Sequence, residues 1–155
     1  MAATADAALA NFLREFDEYV TACSEVEATG RWDVKRRGFM SAYFETDLFA
    51  VVLQLMSADG VFRRAEAAVL NSMFGTSYTS RDLRKMYVSL KPVIDDYCDA
   101  DAADALAVLA RVDEGLRDAY RRLILDACEV VSLSDGVAEG EEQALIERLR
   151  VALGA

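Results

Sequence analysis

The chain carries the same short sequence twice, and this repeat constrains its fold more than any other feature. Asp59-Gly60-Val61 recurs as Asp135-Gly136-Val137, and Glu66 recurs as Glu142, at a constant offset of 76 residues. The same offset pairs Leu48 with Ile124, Phe49 with Leu125, Leu55 with Val131, Val69 with Leu145, Leu70 with Ile146 and Met73 with Leu149. Because turns and apolar faces are both preserved, the sequence predicts two helix–turn–helix halves related by an approximate two-fold axis.

Apolar residues recur at steps of three and four along almost the whole chain, which is the period of an amphipathic helix. No segment alternates with period two, and there is one proline. The predicted fold is therefore all-α, a single domain over residues 1–155 with about seven helices. We expect these helices at residues 6–27, 39–58, 64–74, from 81 onward, 102–112, 116–133 and 140–153, with 39–58 in the centre.

Three helix boundaries are predicted from cap and breaker residues. Thr79 or Ser80 is expected to cap the helix that starts near residue 81, and Asp101 the helix that follows. Pro92 is expected to break or kink the first of these helices, with a short extension beyond it, because proline cannot donate the backbone hydrogen bond. Residues 31–38 are expected to form a basic connection in which Trp32 fills the core.

Composition excludes several classes of function. The formal net charge of −10 disfavours binding to nucleic acid. The absence of histidine removes the commonest general base and the commonest zinc ligand, so we expect no enzyme. The three widely spaced cysteines suit reduced thiols in a core. No signal peptide opens the sequence, and the longest apolar stretch is too short to span a bilayer, which predicts a cytoplasmic protein.

The duplicated Asp-Gly-x5-Glu pattern has two interpretations. In the structural one, the glycine ends a helix, and Glu66 at the third position of the next helix accepts a hydrogen bond from the backbone of its cap. In the functional one, Asp59, Glu66, Asp135 and Glu142 converge on one rim, where Ca²⁺, Mg²⁺ or Mn²⁺ would relieve their mutual repulsion. Both interpretations remain open from the residues alone.

The pattern resembles the TerB-like family of tellurite resistance proteins, which includes the N-terminal domain of DjlA-type co-chaperones. The resemblance rests on Leu55 through Glu66 and on Leu133 through Glu142. It implies a helical fold with an acidic, metal-binding surface formed by Asp59, Glu66, Asp135 and Glu142, and a role in bacterial stress or phage defence. Membrane association is implied only through a partner. The chain departs from the family by carrying Arg63 and Glu139 where a Ser or Thr cap is usual.

The predicted function is thus a non-catalytic module that binds a divalent cation and docks a protein partner. One alternative is a metal-free scaffold or co-chaperone-like interaction domain. Another is a metallohydrolase with Glu142 as its base, which lacks the substrate-orienting residues that such an enzyme requires. Arg63 and Arg64 are expected to pair with Glu66, which makes the second copy the better candidate for a cation site.

Overall fold

The computed structural model describes residues 4–56, 63–94, 100–134 and 140–154. Within these ranges every regular element is a helix, as predicted. The elements are α1 (Ala5–Ala28), α2 (Val34–Arg37), α3 (Met40–Met56), α4 (Arg64–Phe74), α5 (Ser80–Ile94), α6 (Ala100–Val112), α7 (Glu114–Ser134) and α8 (Gly140–Leu153). Since α2 is a single turn, the seven longer helices match the expected number.

The most apolar helix, α3, lies at the centre of the fold and contacts every other helix. From Leu48 onward its buried residues lie around most of the circumference, whereas Tyr43 and Thr46 in its first half are exposed. Residues Val34–Met56 have the length and mean hydropathy of a membrane span. In the structure, Phe44, Leu48 and Leu55 of this stretch are each 1% exposed, as expected for a core helix.

The internal repeat is preserved in the packing. Four pairs at equivalent positions are buried in both halves: Leu48 and Ile124, Leu55 and Val131, Leu70 and Ile146, Met73 and Leu149. Each half also packs against the other in the same way, because α4 contacts α7 while α8 contacts α3. The two predicted helix–turn–helix halves are thus interlocked.

Phe44 and Tyr120 are equivalent residues of the two halves, and they meet where α3 packs on α7. Their ring centroids lie 5.6 Å apart. The Tyr120 hydroxyl donates a hydrogen bond of 3.1 Å to the backbone oxygen of Phe44. Trp32 and Tyr19 extend this aromatic contact to the loop before α3 and to α1, at 5.9 Å from Phe44 and 5.6 Å from Tyr120 respectively. The approximate two-fold axis therefore passes close to this pair.

The predicted cap of α5 is confirmed, with Thr79 in the cap position. The backbone N–H of Asp82 donates to the Thr79 hydroxyl at 3.1 Å, and the backbone N–H of Thr79 donates to the Asp82 carboxylate at 2.9 Å. Two backbone donors at the start of the helix are satisfied reciprocally. This fixes where α5 begins.

Of the two other boundary predictions, the short extension beyond Pro92 is confirmed and the cap at Asp101 is wrong. Helix α5 continues past Pro92 to Ile94, so the proline does not break it. Pro92 cannot donate to the carbonyl of Val88, but Val88 is exposed, and water can satisfy that oxygen. Helix α6 starts at Ala100, so Asp101 lies inside the helix rather than at its cap. Acidic residues are favoured at both positions, and the sequence alone did not separate them.

The contact between α3 and α7 can be tested by removing one oxygen atom. Tyr120→Phe is expected to lower the free energy of unfolding by about 1 kcal/mol, because it deletes a buried hydrogen bond while keeping the ring. Urea denaturation measures the change. Tyr43→Phe is the matched control, since Tyr43 is exposed on the same aromatic cluster, and it should have almost no effect. Equal losses in the two variants would show that the Tyr120 hydroxyl does not stabilise the crossing.

Candidate functional site

The only predicted site residue whose side chain is described, Glu66, serves as a helix cap. It is 2% exposed at the third position of α4. The backbone N–H of Arg63 donates to its Oε1 atom at 3.1 Å, and the Arg63 guanidinium lies 3.5 Å from the same atom. A guanidinium has no acceptor, so Arg63 cannot return the hydrogen bond as a Ser or Thr cap would. The structural interpretation of this glutamate is thus confirmed, together with its pairing to Arg63.

The other three predicted ligands lie partly or wholly outside the described residues. Asp59 and Asp135 belong to the two corners, at residues 57–62 and 135–139, which are not described. Glu142 lies in the first turn of α8, and its side chain is not described. Among the described residues, no three Asp, Glu or Cys side chains are close enough together to hold a metal ion. The convergence of the four carboxylates therefore stays a prediction.

A cavity of about 360 Å³ opens between α7 and α8, beside the second corner. Oxygen-bearing side chains line part of it, and Arg150 adds one positive charge. The described lining residues are Leu125, Asp126, Cys128, Glu129, Ser132, Leu133, Gln143, Ile146 and Arg150. Carboxylate, hydroxyl and amide oxygens are the donors that hard divalent cations prefer. The donor set at this cavity fits such a cation.

One carboxyl group of this cavity, that of Asp126, faces a carboxyl group from α1. Asp126 Oδ2 and Glu15 Oε2 are both buried, and the two carboxyl groups lie within hydrogen-bonding distance of each other. Burial, the hydrogen bond with Glu15 and the nearby Glu15 and Glu129 carboxylates together raise the pKa of Asp126 to about 7, and Arg122 opposes the shift. A single proton shared between the two acids would remove their repulsion.

Glu15 was not predicted as a site residue, although its position carried a signal. It lies three residues after Phe12 and four before Tyr19, on the stripe that α1 buries. A charged residue on a buried stripe requires a partner, since an unpaired buried charge is costly. Its side chain is 18% exposed. What the sequence could not supply was the partner, because Asp126 lies on α7, more than a hundred residues away.

The basic connection before α3 is structural, as expected. Trp32 is 2% exposed and its indole N–H donates to the backbone oxygen of Gly38 at 2.9 Å. The Arg37 guanidinium stacks 3.9 Å from the centre of the indole ring. Arg31 bonds the backbone oxygen of Val112 at 2.9 Å and so ties the connection to the end of α6. These contacts occupy the aromatic ring and two of the cations.

The described cysteines are buried thiols, as predicted. Cys23 and Cys128 are both buried. Burial raises the pKa of Cys23 to about 11, so its thiol stays protonated at neutral pH. Cys98 lies outside the described residues. The described thiols therefore belong to the core.

Comparison with known proteins identifies one family. A family model described as tellurite resistance protein TerB matches residues 45–155, more than two thirds of the chain. The match includes both Asp-Gly corners and starts inside α3, so α1 and α2 precede it. It is narrower than the resemblance expected over essentially the whole chain. No curated protein and no solved structure matches this chain.

The capping role of Glu66 predicts a loss of stability that needs no cation. Glu66→Ala is expected to lower the free energy of unfolding by about 1–2 kcal/mol in the presence of a chelator, because the Arg63 N–H loses its acceptor. Urea denaturation with and without Ca²⁺ measures it. Glu25→Ala, an exposed residue of α1, is the control and should change little. A loss that emerges only when Ca²⁺ is added would contradict the capping role.

The shared proton of Asp126 predicts a specific pH dependence. The pKa of Asp126 is about 7 in the folded chain against 3.8 for an unperturbed aspartate, so the folded state binds more protons than the unfolded state between these two pH values. Stability from this group is therefore complete below about pH 4 and is lost as the pH rises through about 7. The Asp126→Asn variant has no carboxyl group to ionise there, so its free energy of unfolding should increase relative to that of wild type between pH 5 and pH 8.

The matched control for this pH dependence is Asp17→Asn, an exposed acid on α1. Its difference from wild type should stay constant over the same range. Urea denaturation at pH 5 and pH 8 separates the two. A constant difference for Asp126→Asn would mean that this carboxyl group is not protonated in the folded protein.

Proposed function

Because the chain belongs to the TerB family of tellurite resistance proteins, we propose that it is a non-catalytic, cytoplasmic module that binds a divalent cation and docks a partner protein. The cation would be Ca²⁺, Mg²⁺ or Mn²⁺, held at the second Asp-Gly corner by Asp135 and Glu142. The module would act in a bacterial stress response, to tellurite or to phage. Cation binding would bias the packing of the two halves or the docking of the partner.

The observation that carries the cation site is the set of oxygen donors that lines the cavity between α7 and α8. Asp126 and Glu129 belong to this set and lie nine and six residues before Asp135 along the chain. Together with Asp135 and Glu142 they concentrate negative charge around the junction of α7 and α8. A divalent cation would offset the repulsion that otherwise keeps a proton on Asp126.

The first corner supports a structural role instead. Glu66 is buried, accepts the Arg63 N–H and pairs with the Arg63 guanidinium. The corresponding position before α8 is Glu139, which carries no positive charge to pair with Glu142. The two copies of the motif would thus have separate roles, the first as a cap and the second as the cation site.

A non-catalytic role agrees with the residues available. The chain has no histidine, which is the commonest general base in enzymes. The alternative is a metal-free scaffold. It is favoured by the absence, among the described side chains, of three ligands in one place. Binding measurements distinguish the two.

Calorimetric titration of Ca²⁺, Mg²⁺ and Mn²⁺ tests the proposal. Wild type is expected to bind at least one of them saturably. The Asp135→Asn/Glu142→Gln variant should bind at least about tenfold more weakly, since two hard ligands are lost. Asp17→Asn/Glu25→Gln carries the same change in charge at exposed positions of α1 and should bind like wild type.

Proton release gives a second readout of the same site. If binding displaces the proton of Asp126, the heat measured near pH 7 depends on the ionisation enthalpy of the buffer, and Asp126→Asn loses this dependence. Equal affinities in wild type and the Asp135→Asn/Glu142→Gln variant would remove those two residues from the site. No saturable binding by wild type would leave the metal-free scaffold.

A further inference from the structure

Helix α5 presents a basic face in an acidic protein. It carries four Lys or Arg residues and one Asp, in a chain with a formal net charge of −10. Arg81, Arg84, Lys85, Val88 and Ser89 are all exposed and line an open cavity of about 530 Å³. Their spacing of three and four residues places them on one side of the helix over about 12 Å. We call these five residues the α5 face.

The opposite side of α5 holds the helix on the protein. Leu83 is fully buried, and Met86 and Tyr87 pack against the core. The reciprocal cap of Thr79 and Asp82 fixes the first turn. The α5 face is therefore presented by an anchored helix, and a ligand that binds it would not have to order it first.

The cations of the α5 face form no ion pair in the described part of the chain. Elsewhere on the surface, arginines are commonly neutralised: Arg14 pairs with Glu18 and Arg31 with Asp113. On α5, the carboxylate of Asp82 accepts the Thr79 N–H instead. Arg81, Arg84 and Lys85 have no carboxylate within ion-pair distance among the described residues. Three donors for carboxylate are thus available, two of them with the planar fork that binds it through two hydrogen bonds.

The exposed side chain of Val88 indicates which class of anionic ligand fits the α5 face. It is 65% exposed, in the middle of the α5 face. A polyphosphate backbone gains nothing from an apolar side chain, whereas a peptide can cover it with one of its own. Charge complementarity and Val88 together favour a protein segment.

We infer that the α5 face docks an acidic segment of a partner protein, with carboxylates on Arg81, Arg84 and Lys85 and an apolar side chain over Val88. This inference rests on the partner docking of the proposed function and gives that partner its chemistry. It does not depend on the cation site, because α5 contributes none of the described residues of the cavity between α7 and α8.

The probe is a fluorescein-labelled peptide with three Glu residues and one Leu spaced as the α5 face requires. Fluorescence anisotropy at low salt should show saturable binding to wild type. Arg84→Glu/Lys85→Glu should weaken it by at least about tenfold, because two attractions become repulsions. Lys35→Glu/Arg36→Glu changes the charge equally at the exposed connection before α3, and should bind as wild type does.

A peptide of opposite charge shows whether the Arg84→Glu/Lys85→Glu variant is still folded. With Lys in place of Glu, the peptide should bind Arg84→Glu/Lys85→Glu more tightly than wild type. If both double variants lost the same amount of peptide affinity, the net charge of the protein would explain the effect, and the inference would be overturned. So would binding of wild type to phosphatidylserine vesicles in place of the peptide, or self-association of wild type that Arg84→Glu/Lys85→Glu abolishes.

Calcium titrations of the same proteins separate this inference from the cation site. Arg84→Glu/Lys85→Glu should bind Ca²⁺ as wild type does, whatever happens to the peptide. If Arg84→Glu/Lys85→Glu loses peptide binding and keeps Ca²⁺ binding, the peptide binds at the α5 face and not at the cation site. Peptide binding without binding of Ca²⁺, Mg²⁺ or Mn²⁺ would refute the cation site and leave the docking surface in place.

Discussion

The contact between α3 and α7 is the packing on which the rest of the molecule depends. Phe44 and Tyr120 are related by the internal repeat, and each covers the other while the Tyr120 hydroxyl bonds the backbone of Phe44. Both side chains are buried, so the contact removes apolar surface from water on both helices. Because α4 packs on α7 and α8 on α3, displacing this pair would disturb both halves together.

The packing of the helices also brings two carboxyl groups together at the candidate site. Helix α1 packs closely along α7, which brings Glu15 to Asp126 at the edge of the core. Two acids there cannot both ionise without cost, and a proton or a cation relieves it. A proton or a cation bound there would act on the packing of α1, a helix that precedes the residues matched by the TerB family.

Charge is separated along the surface in a way that suits two different ligands. Within the part of the chain that the structure describes, carboxylates line the cavity between α7 and α8, and exposed cations lie along α5. If these carboxylates and cations formed ion pairs with one another, neither region would attract a charged ligand. A cation at one region and an acidic segment at the other would both lower the cost of this separation.

The helices could be read from the chain because the signals for them are local. Periodic apolar residues, the cap at Thr79 and the position of Glu66 at the start of α4 all concern neighbours within one or two turns. The repeat added the equivalence of the two halves. The prediction failed where two local outcomes have similar free energies, as at Asp101, because acidic residues are favoured both at the cap and in the first turn of a helix.

The sequence by itself determined the all-helical fold and the centrality of α3. Only the tertiary structure decided that Glu66 accepts the Arg63 N–H and that Glu15 meets Asp126. It also decided that, among the described residues, the exposed cations of α5 have no carboxylate within ion-pair distance. Periodicity specifies which side of a helix is buried, but the partner of that side depends on how distant helices pack. That choice is made by the whole core at once.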